Sequence, residues 1–266
     1  MTGHDPIAVL PMYDWQHVRC QTDQFWVALR QNLIKSGVSA PHGLSRPANL
    51  LAAWRSRQLV LGQTCGLPYV DHLRDHVQLI GTPDYGVPGC RSGWYRSAVV
   101  VRSNDERETL PDFRHSILAV NSRSSQSGWR AILSALARER VDWPCFASVI
   151  RSGSHARSIE LVASGQADLA AVDFVSWRMA KKHLVASGRV RILDLTDPMP
   201  GLPLIAHRAA CRATLCEAVE QAIEELPEHV RRAIGICGFW RSTPADYDII
   251  ARQPWITAKR AIGINR

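Results

Sequence analysis

Short apolar runs alternate with stretches of helical period along almost the whole chain. The apolar runs predict strands at 6–11, 58–63, 77–82, 95–101, 116–120, 145–151, 168–172, 189–193 and 202–206. Between most of them, apolar residues recur every three or four positions and predict helices at 23–36, 47–55, 67–75, 127–139, 155–164, 174–186, 211–225, 228–234 and 244–251. Strands that alternate with helices imply an α/β fold with mainly parallel sheets. Internal repeats and low-complexity stretches are absent.

Two of the predicted helix starts carry unusual chemistry. Ser154 is a natural N-cap for 155–164, where Ala156, Ile159, Val162 and Ala163 form the apolar stripe and Gly165 supplies the stop. The next strand, Leu169-Ala170-Ala171-Val172, is apolar throughout, as a strand covered on both faces should be, and it delivers Asp173 at its carboxyl end. That edge is where open α/β sheets bind ligands. Earlier, the Ile117-Leu118-Ala119-Val120 strand runs into Ser122-Arg123-Ser124-Ser125-Gln126-Ser127-Gly128 and then into helix.

Both helix starts offer hydroxyls beside backbone N–H groups that have no partner within the helix, the arrangement that suits a compact oxyanion. The hydroxyls of Ser124, Ser125 and Ser127, with the N–H groups of 127 and Gly128, are the candidate donors. The helix dipole adds ~0.3–1 kcal/mol for an anion so placed. One serine would suffice for a cap, and three in four positions favour binding. His155, beside the second helix start, is a further candidate donor to the same anion. Asp173 is either the N-cap of the next helix or an acceptor for a P–OH proton, which would favour a monoprotonated oxyanion over sulfate.

The 266 residues, 46% of them apolar, suffice for two domains of ordinary size. Net charge is +8 and comes almost wholly from arginine, because Lys35, Lys181, Lys182 and Lys259 are the only lysines. The arginines are scattered, with no basic run of five, so a small anionic ligand is expected and nucleic acid is not. Seven cysteines without a CxxC spacing argue against zinc and for buried thiols, and no cofactor is expected. Cys65 and Cys90 stand apart, in turn-rich segments flanking one strand, where they either pair or both face a cleft. No run of eighteen apolar residues exists, so no membrane insertion is expected, and the early first strand leaves no room for a signal peptide.

Ser125-Gln126-Ser127-Gly128, Gly153-Ser154-His155, the run from Ala163 to Asp173, Gly93-Trp94-Tyr95-Arg96-Ser97 and Thr243-Pro244-Ala245-Asp246-Tyr247 together resemble the phosphate/phosphite/phosphonate solute-binding proteins of ABC transporters. The resemblance implies a two-lobed type 2 periplasmic-binding-protein-like fold, each lobe a mainly parallel sheet flanked by helices, with a ligand cleft at the hinge. Lobe one would be 1–98 with 200–266 and lobe two 99–199, the chain crossing at 97–102 and returning near 193–200. It also implies ligand contacts from Tyr13, Gln63, Thr64 and Tyr95, a monomer, a permease or sensor as partner, and a periplasmic location. Gln63-Thr64-Cys65-Gly66 and Gln126 depart from the family pattern.

The function that follows is capture of phosphate, phosphite or an organophosphonate, without catalysis. Two alternatives remain on the same fold. One is an enzyme with Cys65 or Cys90 as nucleophile, although no spacing aligns a base with either. The other is a cytoplasmic ligand sensor, which the missing leader favours.

Overall fold

A computed structural model describes residues 5–252. The chain divides into two compact units. The first runs to Trp94 and resumes from Pro200 to Asp248, and the second runs from Tyr95 to Met199 and takes in Ile249. The strand Ser97–Arg102, expected as the first crossing, pairs along both edges within the second unit's sheet, and the chain crosses earlier, between Trp94 and Tyr95. Of the expected first lobe, residues 1–4 and 253–266 lie outside the described residues.

In the first unit the five-stranded sheet has the order Ile7–Val9, Leu59–Gln63, Leu204–His207, Val77–Asp84, Gly238–Trp240. In the second the order is Ser148–Arg151, Ile117–Val120, Leu169–Asp173, Ser97–Arg102, Val190–Leu195. Both sheets are mixed rather than mainly parallel. Ile7–Val9 pairs in parallel with Leu59–Gln63, and Ile117–Val120 with both of its neighbours, but Leu204–His207 and Ser97–Arg102 run antiparallel to the strands on either side. The reason is topological: each is the first long strand after a crossing and enters its sheet from the opposite end. Gly238–Trp240, which the sequence pattern missed, is a three-residue edge strand too short to show alternation.

The second unit's core explains why its central strand is wholly apolar. Val99, Val101, Leu118, Val120, Leu169 and Ala171 pack with Phe113, Trp129 and Ile132. Helix His155–Ala163 ends as its sequence predicts: Gly165 adopts φ +79° and donates to the carbonyl of Val162. Among the described residues no helix is long and apolar enough to cross a membrane. All seven cysteines are thiols, Cys65 and Cys90 included. Only Cys145 and Cys216 are buried, so the expectation of buried thiols holds for those two and fails for the exposed Cys20, Cys211 and Cys237.

Phe113 has no exposed surface and its ring is covered by the Arg107 guanidinium at 3.9 Å. Phe113→Ala is expected to cost ~3–5 kcal/mol through lost burial and the cavity left behind. Urea denaturation would measure it, and a loss below about 1 kcal/mol would mean that this core collapses around the gap.

Candidate functional site

In the second unit, Ile117–Val120 ends at Asn121, and a loop of serines leads into a turn of π-helix, Gln126–Arg130, that continues as the α-helix Ala131–Arg138. The wide first turn is closed by the Arg130 N–H donating to the Ser125 carbonyl at 3.1 Å. Ser125 is the N-cap: its Oγ accepts from the Gly128 N–H at 3.0 Å and lies 3.3 Å from Ser127 Oγ. Ser127 Oγ in turn sits 2.8 Å from His155 Nε2, at the start of the second helix. Ser154 caps that helix by accepting from the Arg157 N–H at 3.1 Å. Two helix starts thus meet through one serine and one histidine.

Asn121 joins them and was not anticipated from the sequence. Its carbonyl accepts from the Gly153 N–H at 3.1 Å and its Nδ2 lies 3.5 Å from His155 Nε2. Its Oδ1 is buried without a hydrogen-bond partner and lies so close to Gly128 that a Cβ there would meet it at 2.0 Å. A polar residue directly after an apolar strand, at the carboxyl edge, is the signal that would have found it.

Ser124 does not join this group. It is exposed, and its hydroxyl lies 2.8 Å from Ser122 Oγ. Asp173 takes its simpler reading as a cap, with Oδ1 accepting from the N–H groups of Val175 and Ser176 at 2.8 and 3.0 Å. It nevertheless adjoins the site, because Ser97, its partner across the sheet, donates its hydroxyl to the Ser127 carbonyl at 2.8 Å.

His155 keeps part of its surface, but its Nδ1 is buried without a partner, and desolvation pushes the imidazole down to about 4. The ring is therefore neutral at pH 7. Ser127 and His155 make half of a nucleophile–base pair, but the other ring nitrogen lacks the acceptor that would orient the base.

In the first unit, Tyr13, Gln63 and the unanticipated Tyr85 line one small pocket with Met12, Thr22 and Phe25. Tyr13 has φ +64°, a strained conformation for an aromatic residue, and stands edge-on to Tyr85 at 4.9 Å. Gln63 is buried and its Nε2 donates to Tyr85 Oη at 3.2 Å and to the Leu202 carbonyl at 3.4 Å. Thr64 lies outside the pocket, fully buried, with its N–H donating to the Pro203 carbonyl and its hydroxyl to that of Cys65. Tyr95 is buried just past the crossing. Among the described residues no three His, Cys, Asp or Glu side chains gather as a metal site would need.

Two predictions follow from this geometry. Unfolded histidine titrates near 6.5 and His155 near 4, so between these values the unfolded chain binds more protons, and stability falls as pH drops from 6.5 towards 4. His155→Gln removes that part of the slope, which denaturation midpoints at pH 7 and 5 would reveal; an unchanged slope would place the imidazole in water. Gly128→Ala forces Asn121 and the serine loop apart, at a cost of ~1–3 kcal/mol in the same experiment, and wild-type stability in that variant would contradict the close approach.

The comparisons agree with this architecture. PhnD1 from Prochlorococcus marinus, solved with methylphosphonate, is 17% identical with a TM-score of 0.74, over 97% of this chain and 98% of that one. A binding protein component of an ABC phosphonate transporter from Pseudomonas aeruginosa is 13% identical with a TM-score of 0.72, over 98% and 89%. The aliphatic sulphonate binding protein SsuA from Escherichia coli is 17% identical with a TM-score of 0.64, over 97% and 88%. At these identities the likeness establishes the two-lobed type 2 periplasmic-binding-protein fold and nothing finer. No protein with a curated description matches the chain. The sequence profile of the phosphonate periplasmic substrate-binding proteins of ABC transporters matches residues 7–247, and the chain belongs to that family.

Proposed function

We propose that this protein captures a phosphorus oxyanion, an organophosphonate before phosphate or phosphite, and delivers it to an ABC permease from outside the cytoplasmic membrane. The observation that carries the reading is the meeting of Ser125, Ser127, Gly128 and His155 where two helices start. These hydroxyls lie where two helices start, and helix dipoles favour negative charge at such starts. His155 is neutral and its Nε2 stands against Ser127 Oγ, so it orients that hydroxyl rather than supplying a mobile cation. The preference for phosphonate rests on the family and on a structural relative solved with methylphosphonate.

Isothermal titration of ligand-stripped protein with methylphosphonate, 2-aminoethylphosphonate, phosphate, phosphite and sulfate tests the proposal. Micromolar or tighter binding of a phosphonate is expected, with sulfate much weaker. Ser127→Ala and His155→Ala should each weaken it by at least ~1 kcal/mol, the loss typical of a hydrogen bond to a charged group. Failure of every phosphorus oxyanion to bind, or full affinity in both variants, would overturn the reading.

A further inference from the structure

The chain passes between the units at Trp94/Tyr95, at Met199/Pro200 and again at Asp248/Ile249, and each unit ties its own two ends of the first two crossings together. In the first unit the Gly201 N–H donates to the Gly93 carbonyl at 2.8 Å. Both positions need glycine: a Cβ at Gly201 would stand 2.6 Å from the Gly93 carbonyl oxygen, and one at Gly93, where φ is +69°, would stand 2.7 Å from Trp240 Cβ. The Gly201 carbonyl accepts from Tyr247 Oη at 3.0 Å, and that hydroxyl is 2.7 Å from Thr82 Oγ1, itself 2.8 Å from Ser242 Oγ. Tyr247, Thr82 and Ser242 have no exposed surface. The first-unit ends are therefore fixed.

In the second unit the tie is Ser97 with Thr196. The Ser97 N–H donates to Thr196 Oγ1 at 2.9 Å, and the Thr196 N–H donates back to the Ser97 carbonyl at 2.9 Å. One residue earlier, the Arg96 carbonyl accepts from the Phe174 N–H at 3.1 Å. What remains between the ties is Trp94 and Tyr95 on the way out and Asp197-Pro198-Met199-Pro200 on the way back, where two prolines lock φ. Of these, Trp94–Tyr95 and Met199–Pro200 pair with each other as a two-stranded sheet.

Ser97 has a third bond. Its hydroxyl, on a residue 1% exposed, donates to the carbonyl of Ser127, the residue whose own hydroxyl meets His155. We propose that Ser97 is a positioning residue that couples the oxyanion loop to the hinge: it holds Ser127 at the height of the second helix start and transmits the ordering of that loop on ligand binding to the Ser97–Thr196 tie. It makes no contact with the ligand. The inference rests on the functional reading above.

Hydrogen exchange read by mass spectrometry, with and without saturating methylphosphonate, tests this. In the wild type, methylphosphonate should slow exchange both in peptides covering 122–132 and in those covering 94–98 and 194–200. In Ser97→Ala, which keeps both backbone bonds to Thr196, protection of 122–132 should persist at saturation while that of the crossing peptides is lost, and the affinity should drop at least threefold. Ser97→Cys, which keeps the bulk with a weaker donor, should fall between the two and guards against a folding defect in the alanine variant. A merely structural serine would raise exchange across the unit with or without ligand. Wild-type protection of the crossing peptides in folded Ser97→Ala, or its absence in the wild type despite binding, overturns the coupling. Absence of methylphosphonate binding to the wild type overturns instead the functional reading on which it rests.

Discussion

A helix that starts where an apolar strand ends presents N–H groups that its own backbone cannot satisfy, and a buried start must satisfy them with something. At Val120–Gly128 this constraint organises the second unit. Ser125 answers one N–H as a cap, the π-turn widens the entry, and Ser127 is thereby turned towards His155 instead of towards its own helix. Gly128 follows from the same crowding, because Asn121 occupies the space that any side chain there would need. Asn121 in turn holds the Gly153 loop by its carbonyl, so the two helix starts are fixed relative to each other by one residue at the strand end. None of this requires a ligand to be stable.

The same economy appears where the chain changes units. Ser97 opens the strand that pairs with Leu169–Asp173, ties the returning chain at Thr196, and bonds the Ser127 carbonyl. The first two use its backbone, and only the third requires the hydroxyl. On the other side, Gly93 and Gly201 approach closely enough to exchange a backbone hydrogen bond, and the buried Thr82, Ser242 and Tyr247 hydroxyls satisfy the carbonyl this leaves. Backbone ties thus hold both ends of these two short links.

What could be read from the sequence was what depends on near neighbours. Ser154 as a cap, Gly165 as a stop and the apolar Leu169–Val172 strand are local choices, and the structure repeats them. The pairing of Ser127 with His155 was foreseen only as proximity of two helix starts, since residues 28 apart reveal no distance. Asn121, Tyr85 and Ser97 escaped for a related reason: each is an ordinary residue made important by what another segment brings against it. The direction of strands was also invisible, because an apolar run reads the same either way, and the antiparallel entry of Ser97–Arg102 and Leu204–His207 follows from connectivity. Ser124 shows the reverse error: composition counted it with its neighbours, whereas the backbone turns its hydroxyl to Ser122.

The chemistry of the Ser127–His155 pair separates capture from catalysis. A histidine that activates a serine needs its second nitrogen held by an acceptor, which sets the tautomer and stabilises the cation formed as the proton moves. Here Nδ1 is buried without one, and desolvation already disfavours the protonated ring. Proton transfer from Ser127 would create a buried imidazolium with nothing to stabilise it. Donation of a hydrogen bond creates no new charge on the protein and so makes no such demand on the ring. A substrate-binding protein of a transporter, the family to which the chain belongs, requires no such proton transfer.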